Sequence, residues 1–387
     1  MDTRTGLPVV GMVGGGQLAR MTHQAAISLG QSLCVLSVSP DDSAALVAAD
    51  ARLGTHTDLA ALRDFAKGCD AVTFDHEHVP TEHIEALEAE GVKIFPGSRA
   101  LVFAQDKGLM RERLTALGAP VPRWRRVETA ADVESFAAGV WPVVAKAVRG
   151  GYDGKGVWMI SSAVQAEELL ATGTPLLVEE RVPLRRELAA LVARSPFGQV
   201  AAYPVVETVQ RDGICVEVLA PAPGLSPSRA LAAQQLAIDL ATELGVVGLL
   251  AVELFETDSG LLVNELAMRP HNSGHWTIEG ARTSQFEQHL RAVLDYPLGE
   301  TSLTAPAVAM ANVLGGRSVA EGGSAMGIDE RLHHLFAADP GAKVHLYGKQ
   351  VRPGRKIGHV TVLGEDMQTV RARAVAAARW LRDGVGE

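Results

Sequence analysis

Two acidic residues in otherwise apolar sequence are the clearest sign of chemistry in this chain. Glu253 and Glu265 lie in apolar runs on either side of residues 258–260 (DSG), which have the composition of a tight turn. If those three residues form the loop of a β-hairpin, the two glutamates face each other across it. Two ionised carboxylates at about 4 Å repel by about 4 kcal/mol at an effective dielectric constant of 20. A bound Mg²⁺ ion would instead require such a pair.

The hairpin alone leaves two interpretations open. In the first, Glu253 and Glu265 bind Mg²⁺ with Asn264 beside them. In the second, the carboxylates point to opposite faces or into water, because a shift of one residue in register exchanges the faces of a strand. The residues that follow, 269–275 (RPHNSGH), have the composition of a loop. We expect them to form a reactive loop after the hairpin.

A lysine followed by a run of glycines favours phosphate binding in the middle of the chain. Lys146 lies at the centre of an apolar predicted strand, where it needs a partner such as a nucleotide phosphate. Residues 150–156 (GGYDGKG) place four glycines between two predicted strands. This predicts a mobile hairpin flap whose N–H groups wrap phosphate oxygens. The P-loop pattern is absent, because Lys155 is followed by Gly156 rather than by serine or threonine.

A predicted strand over residues 175–180 ends in acidic sequence. Its free backbone groups, together with Glu179, Glu180 and the later Glu187, suit the edge of an adenine ring and the ribose hydroxyls. Taken singly, each of these acids is better explained as part of a solvated strand edge.

The first hundred residues have the pattern of a parallel α/β sheet: an apolar strand, a glycine turn, a helix over residues 17–29 and a strand over residues 32–38. Residues 14–19 (GGGQLA) fit a loose dinucleotide fingerprint, which suggests an NAD-dependent oxidoreductase as an alternative function. No acidic residue ends the second strand, although ribose binding would require one. The turn therefore either brings the backbone close to another phosphate or has no ligand.

Two pairs of histidines resemble zinc ligands only superficially. His76 and His78 lie in a loop with no cysteine or third histidine nearby in the sequence. His271 and His275 are four residues apart, as in a helical zinc pair, but the sequence between them is typical of a loop. We therefore expect no zinc site at either pair.

Three further stretches position these groups. Residues 101–118 have the apolar spacing of a single helix that contains Lys107. Residues 284–294 are predicted to form an amphipathic helix, which is best explained by packing and a dimer contact. Residues 349–356 form a basic turn between two predicted strands, which taken alone is a solvated charge run.

Composition excludes several classes of protein. The chain has 387 residues, which predicts two to three domains, and a formal net charge of -9, which argues against general nucleic-acid or membrane-surface binding. Its three cysteines are scattered, as in a reducing compartment. No apolar run reaches the ~18 residues of a membrane span, and the N-terminus lacks a signal-peptide pattern. We expect a cytoplasmic protein.

Taken together, these features resemble the ATP-grasp superfamily. The finer motifs, which occur in order over nearly the whole chain, are similar to those of the N5-carboxyaminoimidazole ribonucleotide synthetases. The motifs are residues 14–18 (GGGQL), 151–156 (GYDGKG), 269–275 (RPHNSGH), 284–287 (SQFE), 347–349 (YGK) and 354–359 (GRKIGH).

The resemblance implies an α/β (α+β) fold of the ATP-grasp type. It divides the chain into a Rossmann-like preATP-grasp domain, a small ATP-grasp subdomain with the flap, a large ATP-grasp subdomain and a β-rich C-terminal domain that completes the substrate site. The corresponding ranges are 1–103, 104–190, 191–304 and 305–387. The family also implies a homodimer.

The implied reaction converts ATP, bicarbonate and 5-aminoimidazole ribonucleotide into the N5-carbamate, ADP and phosphate, through carboxyphosphate, in purine biosynthesis. Mg²⁺ is implied at Glu253 and Glu265, and catalytic roles at Arg269, Asp153 and His271. The implied ATP contacts are Lys107, Lys146, Gly151, Tyr152, Asp153, Gly154, Lys155, Gly156, Val157, Glu179, Glu180, Arg181, Val182, Glu187, Gln210, Asn264 and Glu265. The implied ribonucleotide contacts are Gly16, Gln17, Glu77, Tyr152, Asp153, Arg269, His271, Asn272, Ser273, Lys349, Arg355 and Lys356.

The chain departs from the family pattern at four positions. Lys107 replaces a common arginine, which keeps the charge but loses the bidentate guanidinium. Gln210, Met268 and Val157 replace a histidine, a proline and a polar residue. These changes bear on nucleotide affinity rather than on the reaction class.

Three questions stay open at this level. Asp153 and His271 are alternative groups for orienting the substrate amine or accepting its proton. The electrophile that the amine attacks is either carboxyphosphate or the CO₂ that it releases. A formate-dependent ribonucleotide transformylase of the same superfamily is the closest alternative function, and a binding module without activity is the least favoured one.

Overall fold

The computed structural model describes residues 1–151, 154–317, 323–324 and 326–384. The N-terminal part is a parallel sheet with strand order β3-β2-β1-β4 and flanking helices. This confirms the predicted strand–turn–helix–strand unit. Its elements are β1 (Val9–Val13), α1 (Gln17–Ser28), β2 (Ser32–Ser37), β3 (Asp50–Leu53), α2 (Leu59–Ala66), β4 (Ala71–Phe74), α3 (Thr81–Ala89) and α4 (Ser98–Gln105).

The next part is a small antiparallel sheet with strand order β5-β8-β6-β7. Helices α6 and α7 pack on it around a separate apolar core. Its elements are α5 (Lys107–Ala116), β5 (Trp124–Val127), α6 (Ala130–Ala137), β6 (Val143–Ala147), β7 (Val157–Ile160), α7 (Ala163–Leu170) and β8 (Leu176–Glu180).

The prediction of a single helix over residues 101–118 is wrong, because the structure has two helices there, α4 and α5, which are separated at Asp106. Asp106 has an extended backbone, and its carboxylate caps α5 by accepting hydrogen bonds from the N–H groups of Gly108 (3.0 Å) and Leu109 (2.9 Å). The apolar spacing continues across this cap, so periodicity alone hid an N-cap residue. Lys107 therefore begins a helix, and its N–H donates to the Val148 carbonyl at the end of β6 (2.9 Å).

The largest sheet is antiparallel and joins the remainder of the chain. Its strand order is β14-β13-β9-β11-β12-β15-β17-β16, with β10 paired to β9. The C-terminal strands thus continue the sheet that carries the glutamate hairpin. The elements are β9 (Arg186–Arg194), β10 (Val200–Ala202), β11 (Val206–Arg211), β12 (Ile214–Ala220), α8 (Pro227–Glu243), β13 (Gly248–Glu256), β14 (Leu261–Ala267), α9 (Thr277–Gly280), α10 (Gln285–Val293), β15 (Ala307–Leu314), α11 (Ile328–Ala338), β16 (Lys343–Leu346), β17 (Lys356–Gly364) and α12 (Met367–Asp383).

Within the described ranges, no helix is both long and apolar enough to cross a bilayer. All three cysteines are reduced rather than disulfide-bonded, as their scattered spacing predicts.

Helix α10 ties the parallel sheet to the large sheet through the fully buried His289. The His289 Nδ1 accepts a hydrogen bond from the Leu249 N–H (3.1 Å), so the ring proton lies on Nε2, which contacts the Thr73 hydroxyl (2.7 Å). Gly248 has a φ of +104°, and a Cβ there would lie 2.8 Å from the imidazole. Burial lowers the pKa of His289 from its ordinary value of about 6.5 to about 3.

We expect this histidine to make folding sensitive to acid. Between pH 6.5 and 3 the unfolded chain binds a proton at His289 that the folded chain does not, so stability falls as the pH falls. The difference in free energy of unfolding between wild type and His289→Asn should shrink by about 2 kcal/mol between pH 7.5 and pH 5. Urea unfolding measures this difference, with substitution of the exposed His333 as control. A pH-independent difference would contradict the assignment.

Candidate active site

The structure pairs Glu253 with Glu265 across β13 and β14, as predicted. The turn is one residue longer than predicted, because Glu256 pairs with Leu261 and residues 257–260 form the loop. A β-bulge at Asn264 compensates for the extra residue and restores the glutamate pair. Gly260 has the predicted positive φ, at +149°. The pairing is therefore correct, although the loop on which it was based is wrong.

The bulge turns Asn264 toward the same face as the two glutamates. The Asn264 Nδ2 donates to Glu253 Oε2 (3.4 Å), and its Oδ1 accepts from the Lys146 ammonium (3.0 Å). Glu253 and Glu265 both line the same cleft. The interpretation that their side chains point to opposite faces is therefore wrong.

The ionised form of Glu253 is unfavourable beside Glu265 in this buried site. Burial, then the neighbouring Glu265 and Glu187, raise the pKa of Glu253 to about 8, while Lys107 and Lys146 oppose the shift. Lys107 forms an ion pair with Glu265. The donors fit Mg²⁺, because two carboxylates and an amide oxygen are hard oxygen ligands. The described residues contain no group of three or more acidic, histidine or cysteine ligands. Phosphate and water oxygens would have to complete the coordination.

Lys146 already has an anionic partner within the protein. Its ammonium contacts the Glu179 carboxylate (2.8 Å). Arg111, a fully buried residue that the sequence analysis missed, donates from Nε to Glu179 (2.6 Å) and from Nη2 to the Asn264 carbonyl (2.7 Å). The Glu179 carboxylate thus lies in an ion-pair network behind the bulge. The signal for Arg111 was its spacing of four from Lys107, which places both cations on one helix face.

Arg269 and Glu77 form a second ion pair in the cleft. The Arg269 Nε contacts Glu77 Oε2 (2.8 Å), and Glu77 Oε1 accepts from the Met268 N–H (3.2 Å). Glu77 follows β4, at the edge where parallel sheets carry ligand-binding residues. One Glu77 oxygen accepts from the Met268 N–H and the other binds the Arg269 guanidinium, so Glu77 fixes the direction of that guanidinium.

His271 is a neutral residue beside the glutamate pair. Its Nδ1 accepts from the Ser273 N–H (3.4 Å) and contacts the Ser273 hydroxyl (2.8 Å), so its proton lies on Nε2, 3.4 Å from Glu253 Oε1. Burial, then the charges of Arg269 and Lys356, lower the pKa of His271 to about 3. Neither end of the buried Asn272 amide has a hydrogen-bond partner among the described residues.

The glycine turn before α1 is explained by a carboxylate of the protein itself. The buried Asp75 accepts hydrogen bonds from the N–H groups of Gly16 (2.6 Å) and Ala19 (3.0 Å) at the start of the helix. A Cβ at Gly16 would overlap this carboxylate. The Asp75 carboxyl thus supplies the acceptor oxygens that the free N–H groups of a helix N-terminus require, which disfavours a dinucleotide there. Gln17, the first helical residue, instead accepts a hydrogen bond from Lys349.

One cleft of about 2060 Å³ brings these groups together. Every described residue that was predicted to bind ATP, the ribonucleotide or Mg²⁺ lines it, except Gly156 and the buried Ser273. Tyr152 and Asp153 lie outside the described residues. The rejected His76–His78 pair stacks at 5.2 Å between ring centroids on the cleft wall.

Comparisons with known proteins agree with this geometry. Residues 7–105 match the ribonucleotide synthetase preATP-grasp domain, residues 112–286 the ATP-grasp domain, and residues 308–373 the phosphoribosylaminoimidazole carboxylase C-terminal domain. The chain is 63% identical over 383 residues to the N5-carboxyaminoimidazole ribonucleotide synthase of Mycobacterium tuberculosis H37Rv, covering 97% of this chain and 88% of the relative. The enzyme of that name from Mycobacterium leprae is 60% identical, covering 97% and 90%.

Solved structures show the same similarity. The structure of an N5-carboxyaminoimidazole ribonucleotide synthetase in complex with ADP has a TM-score of 0.88 at 33% identity, covering 98% of both chains. The Aspergillus clavatus synthase in complex with ADP and 5-aminoimidazole ribonucleotide has a TM-score of 0.85 at 32% identity, covering 98% of this chain and 99% of the other.

Proposed function

The chain belongs to the N5-carboxyaminoimidazole ribonucleotide synthase family of ATP-grasp ligases, and we propose that the 2060 Å³ cleft is its active site. The protein catalyses the ATP-dependent carboxylation of 5-aminoimidazole ribonucleotide in purine biosynthesis. The observation that carries the assignment of the cleft is the Glu253–Glu265 pair, because a buried glutamate whose pKa is raised by burial and by a facing carboxylate is unfavourable in a hairpin that binds no cation.

The hairpin side of the cleft is the ATP side in this proposal. Lys107 and Lys146 exchange their carboxylate partners for ATP phosphates when nucleotide binds, and the described flap residues Gly151, Gly154 and Lys155 cover those phosphates. Of the residues 179–182 that were predicted to hold the adenine, Glu179 contacts Lys146 and Arg111 with its carboxylate. Glu180 to Val182 hold the adenine and Glu187 the ribose. Glu253, Glu265 and Asn264 would hold Mg²⁺, which would neutralise the charge that develops on the transferred phosphoryl group.

Arg269 binds bicarbonate and then carboxyphosphate in our proposal. A guanidinium matches a planar anion with two parallel hydrogen bonds, and Glu77 holds the Nε edge in a fixed direction. Bicarbonate attacks the γ-phosphorus and displaces ADP, which forms carboxyphosphate. The substrate amine then attacks the carboxyphosphate carbon, the C–O bond to phosphate breaks, inorganic phosphate leaves, and the amine nitrogen gives up a proton. Water would hydrolyse carboxyphosphate in an open site. In our proposal the flap therefore also excludes water from the site. His271 holds its Nε2 proton toward Glu253 and orients the amine.

The ribonucleotide occupies the side of the cleft opposite the hairpin. Its 5′-phosphate binds the basic turn with Lys349, Arg355 and Lys356, which concentrates positive charge in a chain of net charge -9. Gln17, held by Lys349, and the Asn272 amide, which has no partner among the described residues, supply hydrogen bonds to its polar groups.

Substrate-dependent ADP release tests the function. We expect ADP formation to require both bicarbonate and 5-aminoimidazole ribonucleotide, and formate not to replace bicarbonate. Stimulation by formate would instead indicate a transformylase. ATP with Mg²⁺ should raise the melting temperature and NAD should not, because Asp75 occupies the glycine turn. No stimulation by the ribonucleotide would overturn the proposal.

Further parts of the proposal concern the whole protein. We propose that the protein is a homodimer, an oligomeric state that sedimentation equilibrium would measure, and that it is cytoplasmic. We also propose the domain ranges 1–103, 104–190, 191–304 and 305–387.

A further inference from the structure

Gln285, in the SQFE motif at the start of α10, has no role in the mechanism above, yet its side chain grips the loop that carries His271. The residue is fully buried. Its Oε1 accepts from the His271 N–H (2.8 Å), and its Nε2 donates to the His271 carbonyl (2.7 Å) and contacts His275 Nδ1 (3.1 Å). One amide therefore binds both polar groups of the His271 residue, as a neighbouring strand would.

Further hydrogen bonds hold Gln285 and the His271 loop together. The Gln285 N–H donates to the Thr277 hydroxyl (2.8 Å), and that hydroxyl donates to the Gly274 carbonyl (2.6 Å). A Cβ at Gly274 would overlap the Gln285 amide, so the close approach requires glycine there. Gln285 and the loop thus lock each other in one arrangement, which a precise site requires of its supporting residues.

Without this grip, few contacts would fix the His271 backbone. Residues 272–274 form only a short 3₁₀ turn, and the ring contacts of His271 are to Ser273 in the same loop and to Glu253. The loop also carries Arg269 and the Asn272 amide, which has no hydrogen-bond partner among the described residues. The position of the Gln285 amide therefore decides where the ribonucleotide half of the site lies relative to the carboxylate pair.

We propose that Gln285 is a positioning residue for the transfer of the carboxyl group to the ribonucleotide amine. This inference rests on the proposed function of the cleft. Gln285 acts through the backbone of His271 and does not touch the carboxylates or the lysines on the ATP side. Its loss should therefore affect the second half of the reaction and spare nucleotide binding.

The chain contains a matched control on the same helix. Gln288 is also fully buried, and its amide accepts from the Gly299 N–H (2.7 Å) and donates to the Gly299 carbonyl (2.8 Å). It makes the same type of grip on a loop that does not line the cleft. Replacement of either glutamine by methionine keeps the side-chain length and removes the two hydrogen bonds to the main chain, and at Gln285 also the contact with His275, so the two variants should lose similar stability.

The test measures ADP and N5-carboxylated product in parallel for the wild type, Gln285→Met and Gln288→Met. For Gln285→Met we expect kcat/KM for the ribonucleotide to fall about 100-fold, since a misplacement of about 1 Å costs that much. We also expect the ratio of ADP to product to rise, because activated carboxylate is lost to water, while the KM for ATP stays near the wild-type value. Gln288→Met should keep wild-type kinetics.

Equal kinetic losses in the two variants would overturn the proposal, as would an unchanged ADP-to-product ratio in Gln285→Met. If Gln285→Met does not fold, Gln285→Glu replaces it, because a glutamate retains the acceptor for the His271 N–H and loses the amide nitrogen that donates to the His271 carbonyl and contacts His275. The expected losses for that variant are in the same direction. Absence of ribonucleotide-dependent ADP release in the wild type would reject the proposed function itself, which distinguishes the two failures.

Discussion

Replacing Glu265 by glutamine should nearly abolish ATP turnover while the chain keeps its fold. Glutamine has the shape of glutamate but offers Mg²⁺ a neutral oxygen, which removes half of the carboxylate charge at the bulge. We expect kcat to fall on the order of 10³-fold, the size of effect seen when transition-state charge loses its electrostatic partner. ADP release measures the rate. The Mg²⁺-dependent rise in melting temperature with ATP should disappear as well, which provides a readout independent of activity.

Glu256 provides the matched control for this substitution. It lies on the same hairpin, but its carboxylate is buried between Arg186 Nε (2.5 Å) and Arg229 Nη1 (2.5 Å), away from the cleft lining. Glu256→Gln should lower the melting temperature, because it weakens two charge-assisted hydrogen bonds, and should leave the KM for ATP unchanged. Retained turnover and a retained Mg²⁺–ATP shift in Glu265→Gln would refute the metal role of the pair.

Replacing Arg269 by lysine should give the second largest loss of activity. Lysine keeps the positive charge but cannot bind Glu77 and a planar anion at the same time with parallel hydrogen bonds. We expect kcat/KM for bicarbonate to fall about 10²-fold. The KM for ATP should change little, because Arg269 lies beyond the hairpin carboxylates.

Steady-state ADP release at varied bicarbonate and fixed, saturating ATP checks this expectation. The control is Arg282→Lys, a change in an exposed arginine that pairs with Glu300 at 3.6 Å outside the cleft. An Arg269→Lys protein with unchanged bicarbonate dependence would show that another cation binds the activated carboxylate. An equal rise in the KM for ATP would instead place Arg269 on the nucleotide.

The hairpin shows how far local sequence carries a prediction. The turn residues and the apolar runs indicated two strands, and the glutamate pair followed from a loop of three residues. The loop is in fact longer, and the bulge at Asn264 corrects the register. A bulge depends on the packing of both faces of a sheet, which turn composition does not reveal. The bulge also places Asn264 beside the carboxylates, so the same irregularity that disturbs the register builds the site.

The break at Asp106 has a similar cause. Apolar spacing runs through it, but the Lys107 N–H bonds to Val148 and the Asp106 carboxylate caps the second helix. The bond to Val148 joins residues far apart in the chain, so no local window contains it. Arg111 lies four residues from Lys107, which places both cations on one helix face, but its burial follows only from the distant carboxylate and carbonyl that it contacts.

The sequence by itself determined which chemical groups are available and in what order. The glycine flap, the RPHNSGH loop and the basic turn are local patterns, and the family they resemble follows from their order along the chain. The tertiary structure alone decided which group meets which. Lys107 and Glu265 are 158 residues apart, Lys146 and Asn264 118, and Gln17 and Lys349 332. These contacts form only when the three sheets dock against one another. The same docking buries Glu253, which raises its pKa, and brings the Gln285 amide against the His271 main chain.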